Sequence, residues 1–391
     1  MFDWRPVAVL FVFFTTLAFA TPSSHILGGS PAMEGAWPDA VAVLRQGNMH
    51  CSGVVIAPNW VLTAGHCSNR SETVRVGSVY SEEGGTTVRI SETIEYPDDA
   101  DVFDIQLHRL ESPVQDPTHA PALGCVADHG IQNGATATLV GFGSTSAAGG
   151  FASPILLQAD VPIVDADCLS FDKDCHPEAA PHGEFIAGGD GVDTCDGDSG
   201  GPVYGRVAGQ TYVLGVTSRA VRPSKNDCGD GGIYVQMDAI IPWVETQTGL
   251  AFETPNCDAL GLTARPRPQN TKHEAAFGRT VHGQIEFENG VFSKNYSYEV
   301  ITPPVHGEIE FKRNGKYVYR PFEHDPSEDR PQTDEWWVSV TDLGPPALTG
   351  IATYNVTFVE QPALCAVSPK QTILWSVFVL PILLRRRKNI G

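Results

Sequence analysis

Short apolar runs rich in β-branched residues recur between Gly, Pro and Asn turns: Ala40–Leu44, Ser52–Ala57, Val74–Val76, Thr86–Ile90, Ile105–Leu110 and Ala135–Val140. Runs of that length and spacing predict an antiparallel barrel. Leu156–Val164 resumes the pattern, and from about Ala239 to Thr248 it gives way to a helix with Trp243 inward. Thr254–Asn270 is rich in Pro, Arg and polar residues and reads as a linker. Alternating strands return between His273 and Glu360, at Gly283–Phe287, Tyr296–Val300, Gly307–Phe311, Lys316–Arg320, Glu335–Val340 and Ala352–Val359. Trp336 and Trp337 are neighbours in one of these strands and point to opposite faces, one read as core and the other as exposed.

Two apolar segments stand apart from these elements. Val7–Phe19 follows Arg5 and ends at Ala18-Phe19-Ala20, so residues 1–20 read as a secretory signal with a small-x-small cleavage site. An uncleaved membrane anchor is the alternative. At the other end Ile373–Leu384 is short for a full span and runs into Arg385-Arg386-Arg387-Lys388, a cluster expected to stay on the cytoplasmic side. Composition narrows the partners. A net charge of −20 over 391 residues argues against nucleic acid and anionic lipid surfaces, and mildly favours cationic peptides. Nine cysteines imply an oxidising compartment.

The candidate chemistry centres on Asp193-Thr194-Cys195-Asp196-Gly197-Asp198-Ser199-Gly200-Gly201-Pro202-Val203, a glycine-dense turn between two apolar runs. Such a turn can aim the amides of Gly197 and Ser199 at one point, which is what a tetrahedral oxyanion requires. The Ser199 hydroxyl is a poor nucleophile without a positioned base, so a histidine and a carboxylate are needed elsewhere. His66, in Leu62-Thr63-Ala64-Gly65-His66-Cys67, supplies the base. Four acids compete for the carboxylate. Asp98, Asp99 and Asp101 sit in a polar turn, whereas Asp104 opens the apolar strand Ile105–Leu110, where a buried carboxylate could orient the imidazole.

These three segments, in the order His66, Asp104, Ser199, resemble the signature boxes of the trypsin-like (chymotrypsin-fold) serine proteases over Ile26 to about Gly249. The resemblance implies an all-β chain, a double antiparallel β-barrel over residues 26–252, here followed by a small β-sandwich. It implies Ser199, His66 and Asp104 as the catalytic residues and the amides of Gly197 and Ser199 as the oxyanion hole. Ile26-Leu27-Gly28-Gly29 resembles the family's activated N-terminus, whose freed amine pairs with the acid before the nucleophile, here Asp198; residues 21–25 would be a propeptide. His25 stands where the family usually has Arg or Lys, so self-activation by a basic-specific protease is not expected and the activator is unidentified.

The same resemblance places Asp193 at the base of the pocket that takes the side chain before the scissile bond, which implies peptide or protein substrates with Arg or Lys there. Ser218 would pair with the substrate backbone. In Val216-Thr217-Ser218-Arg219-Ala220 relatives have Ser-Trp-Gly, so Arg219 replaces an aromatic wall and Ala220 a glycine that narrows the entrance. Cys51 pairs with Cys67 and Cys195 with Cys228 in this scheme. Cys168 lacks its usual partner, with Ile186 in that place, and Cys175 substitutes. Cys125 and Cys257 are left as a pair that spacing cannot fix, with Cys365 odd.

No cofactor or metal is expected. Glu82 and Glu83, and Asp325, Glu328 and Asp329, read as solvated loop acids rather than calcium ligands. Thr302–Ile309 followed by Gly315–Pro321, and Trp336–Asp342, resemble bacterial cadherin-like or immunoglobulin-like sandwich repeats over residues 273–361, serving as a spacer or a binding module. Residues 362–391, with Cys365, resemble a C-terminal surface-sorting tail or form a simple tail anchor. Asn69, Asn295 and Asn355 fit glycosylation sequons. The reading is a secreted or cell-surface serine endopeptidase made as a zymogen. The alternative is a surface binding protein whose protease domain stays latent because His25–Ile26 is never cut.

Overall fold

The computed structural model describes residues 26–97, 103–169, 174–175, 183–287, 296–312, 314–323, 331–344 and 347–359. The signal, propeptide and tail readings, Asp98, Asp99, Asp101, Asn295, Asp325, Glu328, Asp329 and Cys365 lie outside the described residues. Among the described residues no helix is long and apolar enough to cross a membrane.

A two-residue strand β1 (Ser30–Pro31) precedes a closed barrel of β2 (Ala40–Arg45), β3 (Asn48–Ala57), β4 (Trp60–Thr63), β5 (Thr73–Val76), β6 (Thr86–Glu95) and β7 (Gln106–Leu110), in the order β2-β3-β4-β7-β6-β5. Five of the six expected runs are antiparallel strands of this barrel, while Ala135–Val140 goes to the second barrel and Trp60–Thr63, not among the expected runs, takes its place. Gln46 and Gly47, both at positive φ, make the tight two-residue β2–β3 hairpin. The second barrel comprises β8 (Thr136–Gly141), β9 (Leu157–Asp165), β10 (Glu184–Ala187), β11 (Pro202–Val207), β12 (Gln210–Ala220) and β13 (Gly232–Gln236). It closes because β8 pairs with both β11 and β9. The all-β double-barrel expectation therefore holds. Valines fill the first barrel (Val41, Val43, Val55, Val61, Val74), while a second layer from both barrels (Leu62, Leu107, Tyr204, Val213, Val235) packs between them.

Helix α1 (Cys125–Gly130) lies between the barrels in sequence, and α2 (Met237–Thr248) follows β13, burying Ile240, Ile241 and Val244 with Trp243 half-buried against Tyr96. The stretch read as a linker turns out to be strapped to the second barrel. A short helix α3 (Cys257–Leu260) is tied by Cys257–Cys125, and Arg265, nearly fully buried, donates through Nε to Asp128 Oδ1 at 2.6 Å and through Nη1 to Asp167 at 3.2 Å. Arg267 reaches Asp238 at 3.0 Å. Composition read as linker-like because its two key arginines find their acids more than twenty residues away in sequence.

Beyond it stand β14 (Thr271–Ala275), β15 (Val281–Gln284), β16 (Tyr296–Thr302), β17 (Gly307–Phe311), β18 (Lys316–Pro321), β19 (Thr333–Asp342) and β20 (Leu348–Phe358). They form a four-stranded sheet, β14-β20-β19-β16, and a three-stranded sheet, β15-β18-β17. One aromatic core joins the two, with Trp336 stacked between Tyr319 and Tyr354. The expectation that one tryptophan of the pair is exposed fails. Trp336 is fully buried and Trp337, on the other face, is only 6% exposed, its indole N–H donating to Glu335 Oε1 at 2.8 Å.

Candidate active site

The turn Gly65–Arg70 carries His66 from the end of β4 to the seam between the barrels, and Cys51–Cys67 fixes that turn to β3. Asp104, just before β7, grips the turn twice. Its Oδ1 accepts the His66 backbone N–H at 2.7 Å and its Oδ2 meets His66 Nδ1 at 2.7 Å. Ser218 Oγ donates to the same Oδ2 at 2.8 Å. Burial alone would raise the Asp104 carboxyl, but the ring hydrogen bond and charge of His66, its backbone N–H and the Ser218 hydroxyl together hold it below its ordinary value. Such a carboxylate keeps the proton of a neutral imidazole on Nδ1, which makes Nε2 the basic nitrogen of the ring.

Ser199 is half-buried and lines, with His66, one open cleft of about 500 Å³. Its turn is locked by backbone bonds that also orient two amides. The Asp196 carbonyl accepts from Ser144 N at 2.7 Å, so the Gly197 N–H in the same trans peptide points the opposite way. The Asp198 carbonyl accepts from Gly201 N at 2.8 Å, which turns the Ser199 N–H likewise. Gly200, at positive φ, lies where a Cβ would collide with Thr63 Oγ1 and Ser52 O of the other barrel, so only glycine lets the barrels meet here.

Behind the turn, Asp198 is completely buried and accepts from Gly143 N at 2.7 Å and Cys195 N at 2.9 Å. Burial, against these two bonds, pushes its pKa up to about 7, and among the described residues no cation pairs with it. Ile26 is also fully buried, and Leu27 bridges to Asp193. A carboxyl whose folded pKa lies above its unfolded value costs stability as pH rises from about 4 through 7. The uncut chain is therefore expected to lose melting temperature over that range. A chain cut before Ile26, with its α-amine docked on Asp198, should lose much less; thermal melts of both forms at pH 5 and pH 8 check this, and equal pH dependence would refute it.

Asp193 is 1% exposed and is not among the residues lining the cleft. Its carboxylate is occupied by backbone N–H groups: Thr194 at 2.7 Å, Gly229 at 3.1 Å and Gly231 at 3.0 Å. Burial pushes its pKa up to about 6 despite those donors. Thr194, Ser218 and Ala220 form the lining instead, with Cys195–Cys228 at one side. Arg219 lines it too, its guanidinium paired end-on with the buried Glu184: Nη1 to Oε1 at 2.7 Å and Nη2 to Oε2 at 2.8 Å. Cys168–Cys175 and Cys125–Cys257 are bonded as the residues suggested, and Glu184 lies beside the former. Bonded to each other, Cys168 and Cys175 are not available as metal ligands.

Sequence reading missed Glu184, buried behind Arg219, and Arg222, Asp196 and Asp227 at the cleft. Glu184 left one signal, a lone acid beside Phe185 and Ile186 in an apolar strand, where charges survive only when paired.

The family model described as Trypsin matches residues 26–244. The chain belongs to the trypsin family of serine proteases. A trypsin of Saccharopolyspora erythraea is 34% identical over 55% of this chain and 94% of its own. A chymotrypsin-like elastase family member 1 of Macaca fascicularis is 31% identical over 59% of this chain and 92% of its own. Among solved structures, mouse neuropsin superposes with a TM-score of 0.48 at 24% identity, over 57% of this chain and 99% of its own. As a member of the trypsin family the chain is a serine protease, and the family match leaves the region after residue 244 unassigned.

Proposed function

We propose that this chain is a secreted, zymogen-activated endopeptidase that uses Ser199, His66 and Asp104 to cleave peptide bonds after Arg or Lys. Supporting it most is Asp104, which holds the His66 ring and backbone at once while Ser199 lines the same cleft as His66. Ser199 Oγ attacks the scissile carbonyl as its proton passes to His66 Nε2. The oxyanion is held by the N–H groups of Gly197 and Ser199. His66 then gives its proton to the leaving amine, and water repeats the sequence to free the acyl group. Cleavage before Ile26 supplies the amine that neutralises Asp198. The C-terminal sheets, resembling cadherin-like or immunoglobulin-like repeats, and the tail would place this activity at a cell surface.

An arginine amide reporter tests this on the full chain before and after cleavage engineered between His25 and Ile26. Turnover is expected only in the cut form. Ser199→Ala should reduce it by about 10⁶-fold, and turnover surviving that change would overturn the assignment. A second reading, cleavage after small uncharged residues, is favoured by the engagement of the Asp193 carboxylate with backbone amides and by its not lining the cleft. The elastase-named relatives agree with it. An alanine amide reporter hydrolysed faster than the arginine one would select it.

A further inference from the structure

On β12 the register against β13 slips between Thr217 and Arg219, so Ser218 is the extra residue of a bulge. Neighbours in a regular strand face opposite ways; a bulge bends that rule and brings these two side chains together. Arg219 Nη1 then lies 3.2 Å from Ser218 Oγ, while the same oxygen lies 2.8 Å from Asp104 Oδ2. A guanidinium has only donors, and an ionised carboxylate only acceptor positions. The hydroxyl between them has one proton and so one orientation: it accepts from Arg219 and donates to Asp104.

We propose that Arg219 is a positioning residue of the active site, acting through the Ser218 hydroxyl to set the basicity of the Asp104–His66 pair. A donor that is itself polarised by a cation is a stronger donor, and a carboxylate bonded more strongly stabilises an imidazolium less. The arrangement therefore keeps the His66 ring easier to deprotonate and extends its work as a base to lower pH. Glu184 serves Arg219 in turn. Its carboxylate, fully buried, holds both terminal nitrogens, and the Asp174 carbonyl accepts from Nη2 at 3.1 Å. Other charged groups also face the ring: His50 from β3 lies close enough to feel the His66 charge, and Asp196, Arg222 and Asp227 share the cleft. The test must isolate the path through Ser218 from their direct fields.

This inference rests on the triad reading above, and two readouts keep the two separable. In the full chain cut before Ile26, the acid-limb midpoint of kcat/KM and the NMR titration of the His66 ring are measured side by side. Removing Arg219 alone would strand a buried Glu184, so the informative variant is the charge-neutral pair Arg219→Met with Glu184→Gln. Both midpoints should rise by about half a pH unit, with kcat falling a few-fold at pH 6 and KM little changed. Arg219→Lys, which keeps a donor cation, should restore most of the shift. In a Ser218→Ala background the double variant should move neither midpoint further. An unshifted ring titration in the double variant, or an equal shift without Ser218, would overturn the proposal. Absent turnover with a shifted ring titration would instead refute the protease reading and leave the relay standing.

Discussion

Asp104→Asn is expected to lower kcat by about 10⁴-fold at neutral pH while KM changes little. The geometry explains both halves of that result. Asp104 Oδ1 and Oδ2 accept from the His66 backbone N–H and from Nδ1, each at 2.7 Å, and Oδ2 accepts from Ser218 as well. An amide offers one acceptor oxygen and one NH₂ group. Whichever way it sits, a donor faces a donor, or the ring turns its proton to Nε2 to satisfy the new partner. In the latter tautomer Nε2 cannot take the Ser199 proton, although the fold and the substrate walls are untouched. Steady-state kinetics with the cut chain check the prediction, and a loss smaller than tenfold would mean that Asp104 does not orient the base.

The second large effect concerns stability. A chain ending at Phe252 should fail to fold, whereas one ending near Asn270 should fold. Truncation at 252 removes Cys257, and with it a disulfide that closes a loop of 132 residues. Losing a native disulfide costs about 2–5 kcal/mol. It also removes Arg265, leaving Asp128, 2% exposed, without the guanidinium 2.6 Å away. Breaking a buried ion pair costs about 3–5 kcal/mol. Either loss is large against the total of about 5–15 kcal/mol that holds a domain together. Circular dichroism melts of the two truncated proteins decide this; a cooperative transition in the 252 form matching the longer chain would show that the strap is dispensable.

How much of this was legible in the residues depends on the range of the interactions. The barrels were, because period-two runs such as Val74–Val76 and Ala135–Val140 are local signals of a half-buried strand. The grouping of His66, Asp104 and Ser199 was legible through three short boxes, each distinctive on its own. The Cys168–Cys175 pair was found because its usual partner position held Ile186. What escaped were charges whose partners are remote. Arg219 read as a lost aromatic wall because Glu184 is 35 residues away in sequence. Arg265 and Arg267 read as linker because Asp128 and Asp238 lie in earlier elements. The bonds that Asp193 accepts from the amides of Gly229 and Gly231 were equally out of reach, because those amides arrive from another loop. Ile105–Leu110 read as apolar, yet it turns Gln106 and His108 inward, and burial pushes the His108 pKa down to about 4.

A fluorophosphonate that phosphonylates activated serines offers the most direct test of whether the cleft does nucleophilic chemistry. The full chain is treated before and after cleavage at Ile26, digested, and the adduct located by mass spectrometry. A single adduct on Ser199, present in the cut chain and abolished by His66→Ala, is the outcome this geometry requires. An unlabelled Ser199 in the cut chain, or labelling undiminished without His66, would contradict it.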